Sequence, residues 1–280
     1  MRTQQSIRLA GAGFAALLFF AAPSLAQVAP SLGQATSFSV LGATAVTNTG
    51  PSVVTGDLGI SPGTAASITG FPPGIVTGTT HAADAVALQA QNDTTTAYNS
   101  LAGQACLPAN DLTGTDLGGL TLTPGVYCFS SSAGLTGTLT LDARGNPNAV
   151  FIFQIGSTLT TASSSAVLVT NGGSSCNVFW QVGSSATLGT TSAFAGNILA
   201  LTSITLTTGS NVTGRTLART GAVTLDSNNI GGCASAAPPP PPPGAGGSPR
   251  QVPTLSEWAM ILLTMMLALA GFAALRRRSR

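Results

Sequence analysis

In a chain of 280 residues with net charge +2, only 6% of the residues are charged and 44% are hydrophobic. There is no lysine, and between Gln27 and Cys233 three arginines (Arg144, Arg215, Arg219) stand against seven aspartates, which excludes a basic stripe for a nucleic-acid backbone. The length suits one large domain or two small ones, and the central apolar residues come in short runs broken by Gly, Thr, Ser and Asn, the chemistry of strands and turns rather than of membrane spans.

In chain order, the first element is an export signal. Arg2 and Arg8 precede the apolar residues 9–22, and Ser24-Leu25-Ala26 offers small residues to a signal peptidase. Residues 1–26 therefore read as a signal peptide and Gln27 as the mature start. Short strands follow at 37–41 and 52–54. Residues 81–103 hold few glycines, and Ala83, Val86, Ala87, Ala90, Thr94, Ala97, Tyr98 and Leu101 recur at helical spacing. That predicts one amphipathic helix, with Gln91 on its outer side.

Beyond the helix the sequence repeats. Thr-Leu-Thr occurs at 121–123, 138–140, 158–160 and 205–207, with weaker copies at Ala186-Thr187-Leu188 and Val223-Thr224-Leu225. Most neighbouring copies lie 17 to 20 residues apart, with one longer step. Companion runs at 149–154, 177–181, 196–200 and 214–218 read as further strands. A repeat of this length, built from strands and turns, implies a solenoid whose stacked coils share one core. Side chains alternate along a strand, so the leucine points in and the threonines out. On this reading Thr121, Thr123, Thr138, Thr140, Thr158, Thr160, Thr187, Thr205, Thr207 and Thr224 share one outer face. The companion strands then turn Val178, Trp180, Ile198 and Ala200 outward as a bed for the helix.

Residues 234–251 include six consecutive prolines, Pro238 to Pro243, a stiff extended spacer. The chain closes with Val252-Pro253-Thr254-Leu255 and Trp258, an uncharged apolar run at 259–275, and four arginines among the last five residues. The run is long enough to span a bilayer, with the arginines remaining cytoplasmic. The three parts together resemble the IPTL-type C-terminal sorting signal of Gram-negative bacteria. That resemblance implies processing by an exosortase-like enzyme, a transient membrane anchor and delivery to the cell surface. Val252 and Ala259 depart from the usual isoleucine and glycine. The expected organisation is 1–26 signal peptide, 27–233 solenoid, 234–251 linker and 252–280 sorting signal.

The solenoid resembles the bacterial and fungal ice-binding family. The segments that carry the likeness are Leu122-Thr123-Pro124-Gly125-Val126-Tyr127, Leu139-Thr140-Leu141-Asp142, Ala149-Val150-Phe151-Ile152-Phe153-Gln154, Val178-Phe179-Trp180-Gln181-Val182, Gly214-Arg215-Thr216-Leu217-Ala218 and Ala97-Tyr98-Asn99. The likeness spans roughly residues 30–231. It implies a mainly β, right-handed discontinuous β-solenoid of triangular section with one long flanking helix, adsorption to an ice surface through a flat face, and no catalysis. The family's contact residues vary, so none is carried over singly. A threonine array with coils about 4.8 Å apart offers methyl and hydroxyl groups at regular spacing to an uncharged oxygen lattice. The competing expectation is a surface adhesin or polysaccharide-binding solenoid, marked by a groove lined with Trp180, Tyr127 or aspartates.

Cys106, Cys128, Cys176 and Cys233 lie in an exported domain, where an even count implies disulfides. Three pairings are open, and the expectation is Cys106–Cys128 with Cys176–Cys233. No cysteine or histidine spacing suggests a metal site, and no phosphate-binding loop or cofactor motif occurs. His81 is the sole histidine and the aspartates are scattered, which argues against an enzyme. A monomer is expected.

Overall fold

Strands of three to five residues cannot bury an apolar face alone, and they do so here by stacking. The computed structural model describes residues 27–232. The expected signal peptide, linker, sorting signal and Cys233 lie outside them. Each coil has three legs, and the legs of successive coils pair in parallel. First legs include Gly125–Phe129, Phe151–Ile155 and Val178–Val182. Second legs form a seven-stranded sheet from Ala133–Leu135 to Ile68–Thr69. Third legs include Thr138–Asp142 and Ala166–Thr170. The long strands Ala193–Ala200 and Asn211–Ala218 turn from a third leg into the next first leg, joining those two ladders into one 14-stranded sheet.

The solenoid is discontinuous in sequence. The first coils built, around Phe38–Gly42 and Asp57–Ile60, stack against the last, so that Val40 pairs with Thr216, Val46 with Val223 and Val53 with Asn229. In sequence the helix Ala85–Ala102 falls between these coils and the rest of the winding, and it packs along the first legs. It begins later than the sequence suggests. Thr80–Ala82 is a strand paired with Asp57–Ile60, Ala83 turns at φ 52°, and the Asp84 carboxylate caps the helix by accepting from Ala87 N at 2.8 Å. Among the described residues no helix is long and apolar enough to cross a membrane.

Two apolar clusters result. Inside the coils, Tyr127, Phe153, Trp180 and Phe194 form an aromatic ladder with centroid separations of 5.6, 3.9 and 4.9 Å. Between the first legs and the helix, Leu41, Val126, Ile152, Phe179, Leu199 and Leu217 meet Ala90, Ala97, Tyr98 and Leu101. Burying each large side chain contributes about 1.5–3 kcal/mol. This corrects the expected helix bed. Val178, Trp180, Ile198 and Ala200 point into the coil, and their neighbours Phe179 and Leu199 face the helix. Gln91 is also not on the outer side. It is buried, and its Nε2 donates to Gly42 O and Ala218 O at 2.9 and 3.0 Å.

Cys106 and Cys128 are joined, tying the segment after the helix to the first-leg strand Gly125–Phe129. Cys176 is disulfide-bonded too.

Candidate functional site

The helix covers the first legs, which leaves two bare faces. On the second legs, the outward positions align as Gly134, Thr160, Thr187, Thr205, Thr224, Thr47 and Thr69. Six threonines stand in one column, each opposite the next, over about 24 Å at the usual strand spacing. Their inward neighbours Leu159, Ala186, Leu188, Ile204, Leu206, Val223, Leu225 and Val46 are fully buried, or nearly so. The column is thus fixed from beneath by packed core.

The hydroxyls beside this column are engaged within the protein. Ser185 Oγ accepts from Ser203 N at 3.3 Å, and Ser203 Oγ accepts from Ala222 N at 3.2 Å. Thr158 donates to Ser132 Oγ at 2.8 Å, and Thr207 to Leu188 O at 2.7 Å. In the column itself, Thr47 donates to Thr224 at 3.4 Å. Thr160, Thr187, Thr205 and Thr69 have no side-chain hydrogen bond among the described residues, so their hydroxyls remain available to an external lattice. No ionisable group stands in the column. Asp226, at the end of the strand Val223–Asp226, accepts from Thr208 Oγ1 and Ser227 Oγ.

A second device stiffens the edge between the second and third legs. Each corner there carries a left-handed residue: Gly137 at φ 88°, Ser164 at 58°, Thr191 at 54°, Gly209 at 70°, Ser227 at 57° and Gly50 at 77°. Such a conformation is costly for a β-branched residue such as Thr191. Just past the bend, Ser165, Ser192, Ser210, Asn228 and Ser52 are buried. The first four fasten corner carbonyls, as when Asn228 Nδ2 donates to Thr207 O and Ser210 O at 2.9 and 2.7 Å, and Ser52 Oγ accepts from Asn228 N at 2.9 Å. Sequence reasoning missed this ladder, although a buried polar residue three positions after Ala162, Gly189 and Thr207 is its signature.

The ten predicted threonines do not share a face. Thr160, Thr187, Thr205 and Thr224 belong to the column. Thr121, Thr138 and Thr140 lie on the third legs. Thr123 precedes a first leg, its carbonyl accepting from Tyr127 Oη, while Thr158 and Thr207 sit at corners. Thr47 and Thr69 were missed. Their signal is the dipeptide of a β-branched aliphatic residue and threonine, shared by Val46-Thr47, Ile68-Thr69, Ile204-Thr205 and Val223-Thr224.

The third-leg face is less regular. One outward column reads Thr138, Ala166, Ala193, Asn211, Asn229, Val53 and Ile75. Leu168 and Ile75 protrude, 52% and 58% exposed. The residues weighed for sugar binding are enclosed, with Trp180 inaccessible and Tyr127 7% exposed. His81 Nδ1 lies 2.7 Å from Asp84 Oδ2. The Asp84 carboxyl titrates below the ordinary aspartate value because Ala87 N–H and then His81 bond to it.

The model of the ice-binding-like family matches residues 40–231. The chain belongs to that family. An ice-binding protein of Nostoc sp. (strain HG1) is 65% identical over 200 residues, covering 71% of this chain and 72% of that protein. The ice-binding protein of Flavobacterium frigoris (strain PS1) is 35% identical, covering 71% and 75%. Among solved structures, an ice-binding protein from an Antarctic biological consortium aligns with TM-score 0.71 at 50% identity, covering 73% of this chain and 91% of its own. One from Antarctomyces psychrotrophicus aligns at 0.68 and 46%, covering 72% and 98%. The IPTL-CTERM motif matches residues 250–278. The solenoid fold is therefore shared with these structures.

Proposed function

We propose that this chain adsorbs to ice through the second-leg threonine column, without catalysis, as an exported and surface-sorted protein. The observation that carries the reading is the uninterrupted, in-register column of six threonines on a packed backbone. The relatives, named as ice-binding proteins, support the ligand. Burial of Trp180 and Tyr127 weighs against a sugar-binding groove. The arrangement follows the sequence: a peptidase removes 1–26, the spacer 234–251 separates the domain from the envelope, and the run 259–275 anchors the chain until an exosortase-like enzyme acts near Pro253-Thr254-Leu255. The domain acts as a monomer, since one face suffices for adsorption.

The test is a pair of substitutions in the purified chain, scored by ice shaping and by adsorption of fluorescent protein to a growing crystal. Thr205→Arg places a mobile charged chain mid-column and is expected to cut adsorption at least tenfold. Ala193→Arg, exposed on the third legs, is expected to leave it unchanged. Both stay folded: Ala193 is exposed and Thr205 half-buried with its side chain outward, and changes on the surface move stability by about 0.5 kcal/mol. The reverse pattern assigns ice to the third-leg face.

A further inference from the structure

The position at which the chain leaves the solenoid has a functional consequence. In each coil the legs follow in the order first, second, third, so the corner between a third and a first leg lies across from the second-leg face. The last described strand, Asn229–Gly231, is a third leg. Gly232 follows it at that corner, and the spacer and sorting signal come after. The other described end lies on the same side. Gln27 Nε2 donates to Val150 O at 3.3 Å, just before the first-leg strand Phe151–Ile155, and Val28 N donates to Gln104 Oε1 beyond the helix. The bonded Cys176, in the turn Ser175–Asn177, marks that corner in another coil.

We infer that the protein is a cell-to-ice adhesin, mounted by the corner opposite its threonine column so that the column faces away from the cell. Attachment at this corner crowds the helix side and the third-leg face, which border it, and leaves the second-leg face clear. A soluble inhibitor needs no such polarity, because it tumbles freely. A tethered one meets ice only if its binding face is distal. The binding of one chain to ice then becomes many bindings per cell, and multivalency raises the hold without any new contact. This inference rests on the ice reading above.

The experiment uses the full chain displayed on a Gram-negative host that sorts it, with surface copies counted by antibody. Capture of cells by growing polycrystalline ice is compared with adsorption of the same chain after proteolytic release through a site engineered in the spacer. Expected is at least tenfold enrichment of displaying cells over cells lacking the chain, lost with Thr205→Arg and kept with Ala193→Arg. If released chain adsorbs to ice but cells carrying it are not enriched, the mounting inference is overturned and the ice reading stands. If neither adsorbs, the ice reading fails and the adhesin falls with it.

Discussion

Gln91 lies beneath the helix, and replacing it measures how firmly the helix is clasped to the first legs. Its Nε2 donates to two backbone carbonyls, Gly42 O and Ala218 O, on strands that approach each other from opposite ends of the sequence. Gln91→Ala removes both bonds and leaves the carbonyls buried. Gly42 O keeps the N–H of Ser61 at 3.2 Å, and Gln91 Oε1 is itself without a partner in the native packing. The cost therefore sits at the low end, about 1 kcal/mol for each lost bond, or about 2 kcal/mol together. For a domain of this size that lowers the melting temperature by about 4–8 °C, read by calorimetry or circular dichroism. Ice adsorption near 0 °C, where the variant remains folded, stays at its native level. A variant that melts within 1 °C of the native protein would falsify the clasp. So would loss of adsorption at unchanged stability, which would place Gln91 in the binding machinery. Asn92→Arg, one position on and exposed, should change neither quantity.

Two further predictions address the core and pH. Trp180→Ala opens a cavity in the aromatic ladder, removing the stack on Phe153 and the Nε1 bond to Ala195 O at 3.0 Å. A loss of about 3–5 kcal/mol in chemical denaturation is expected, and a loss under 1 kcal/mol would contradict the packing described. Asp84, Asp111 and Asp142 titrate below the ordinary value of 3.8, chiefly through bonds from Ala87 N–H, the Thr113 hydroxyl and the Asn171 amide. Folded pKa values below unfolded ones mean that stability is present above the carboxylate range and is lost as pH falls through it. Melting temperature should stay level from neutral pH to about 5 and drop below 4, whereas a rise on acidification would reverse the assigned sign.

The sequence carries its period-2 signal clearly where one side of a strand meets solvent. In Ala186-Thr187-Leu188 and Ile204-Thr205-Leu206 the apolar residues flank an outward threonine, and the structure agrees. The signal fails in Val178–Val182, every residue of which is buried. Both sides of that strand are covered, one by the core and one by the helix. A continuous apolar run then gives no hint of direction, and a slip of one residue turns Trp180 out and Phe179 in. The same loss of contrast hid Gln91, a polar residue that reaches backbone rather than solvent.

Alternation also says nothing about which leg a strand occupies. That depends on coil length, and the coils are unequal. Along the threonine column, successive positions are 26, 27, 18 and 19 residues apart from Gly134 through Thr160, Thr187 and Thr205 to Thr224. A repeat of 17 to 20 residues therefore tracks one face only in the short coils. In the long ones it steps from a third leg to the next second leg, as from Thr138 to Thr158. Nor does any linear repeat reveal that Thr47 continues the column beyond Thr224, because the two are 177 residues apart. The coils carrying Thr47 and Thr69 come first in the sequence and pair with its last coil. The full length of the face thus depends on the most non-local pairing in the fold, of the kind that slows folding. A chain whose first coils fail to dock keeps four of its six threonines and loses a third of the column.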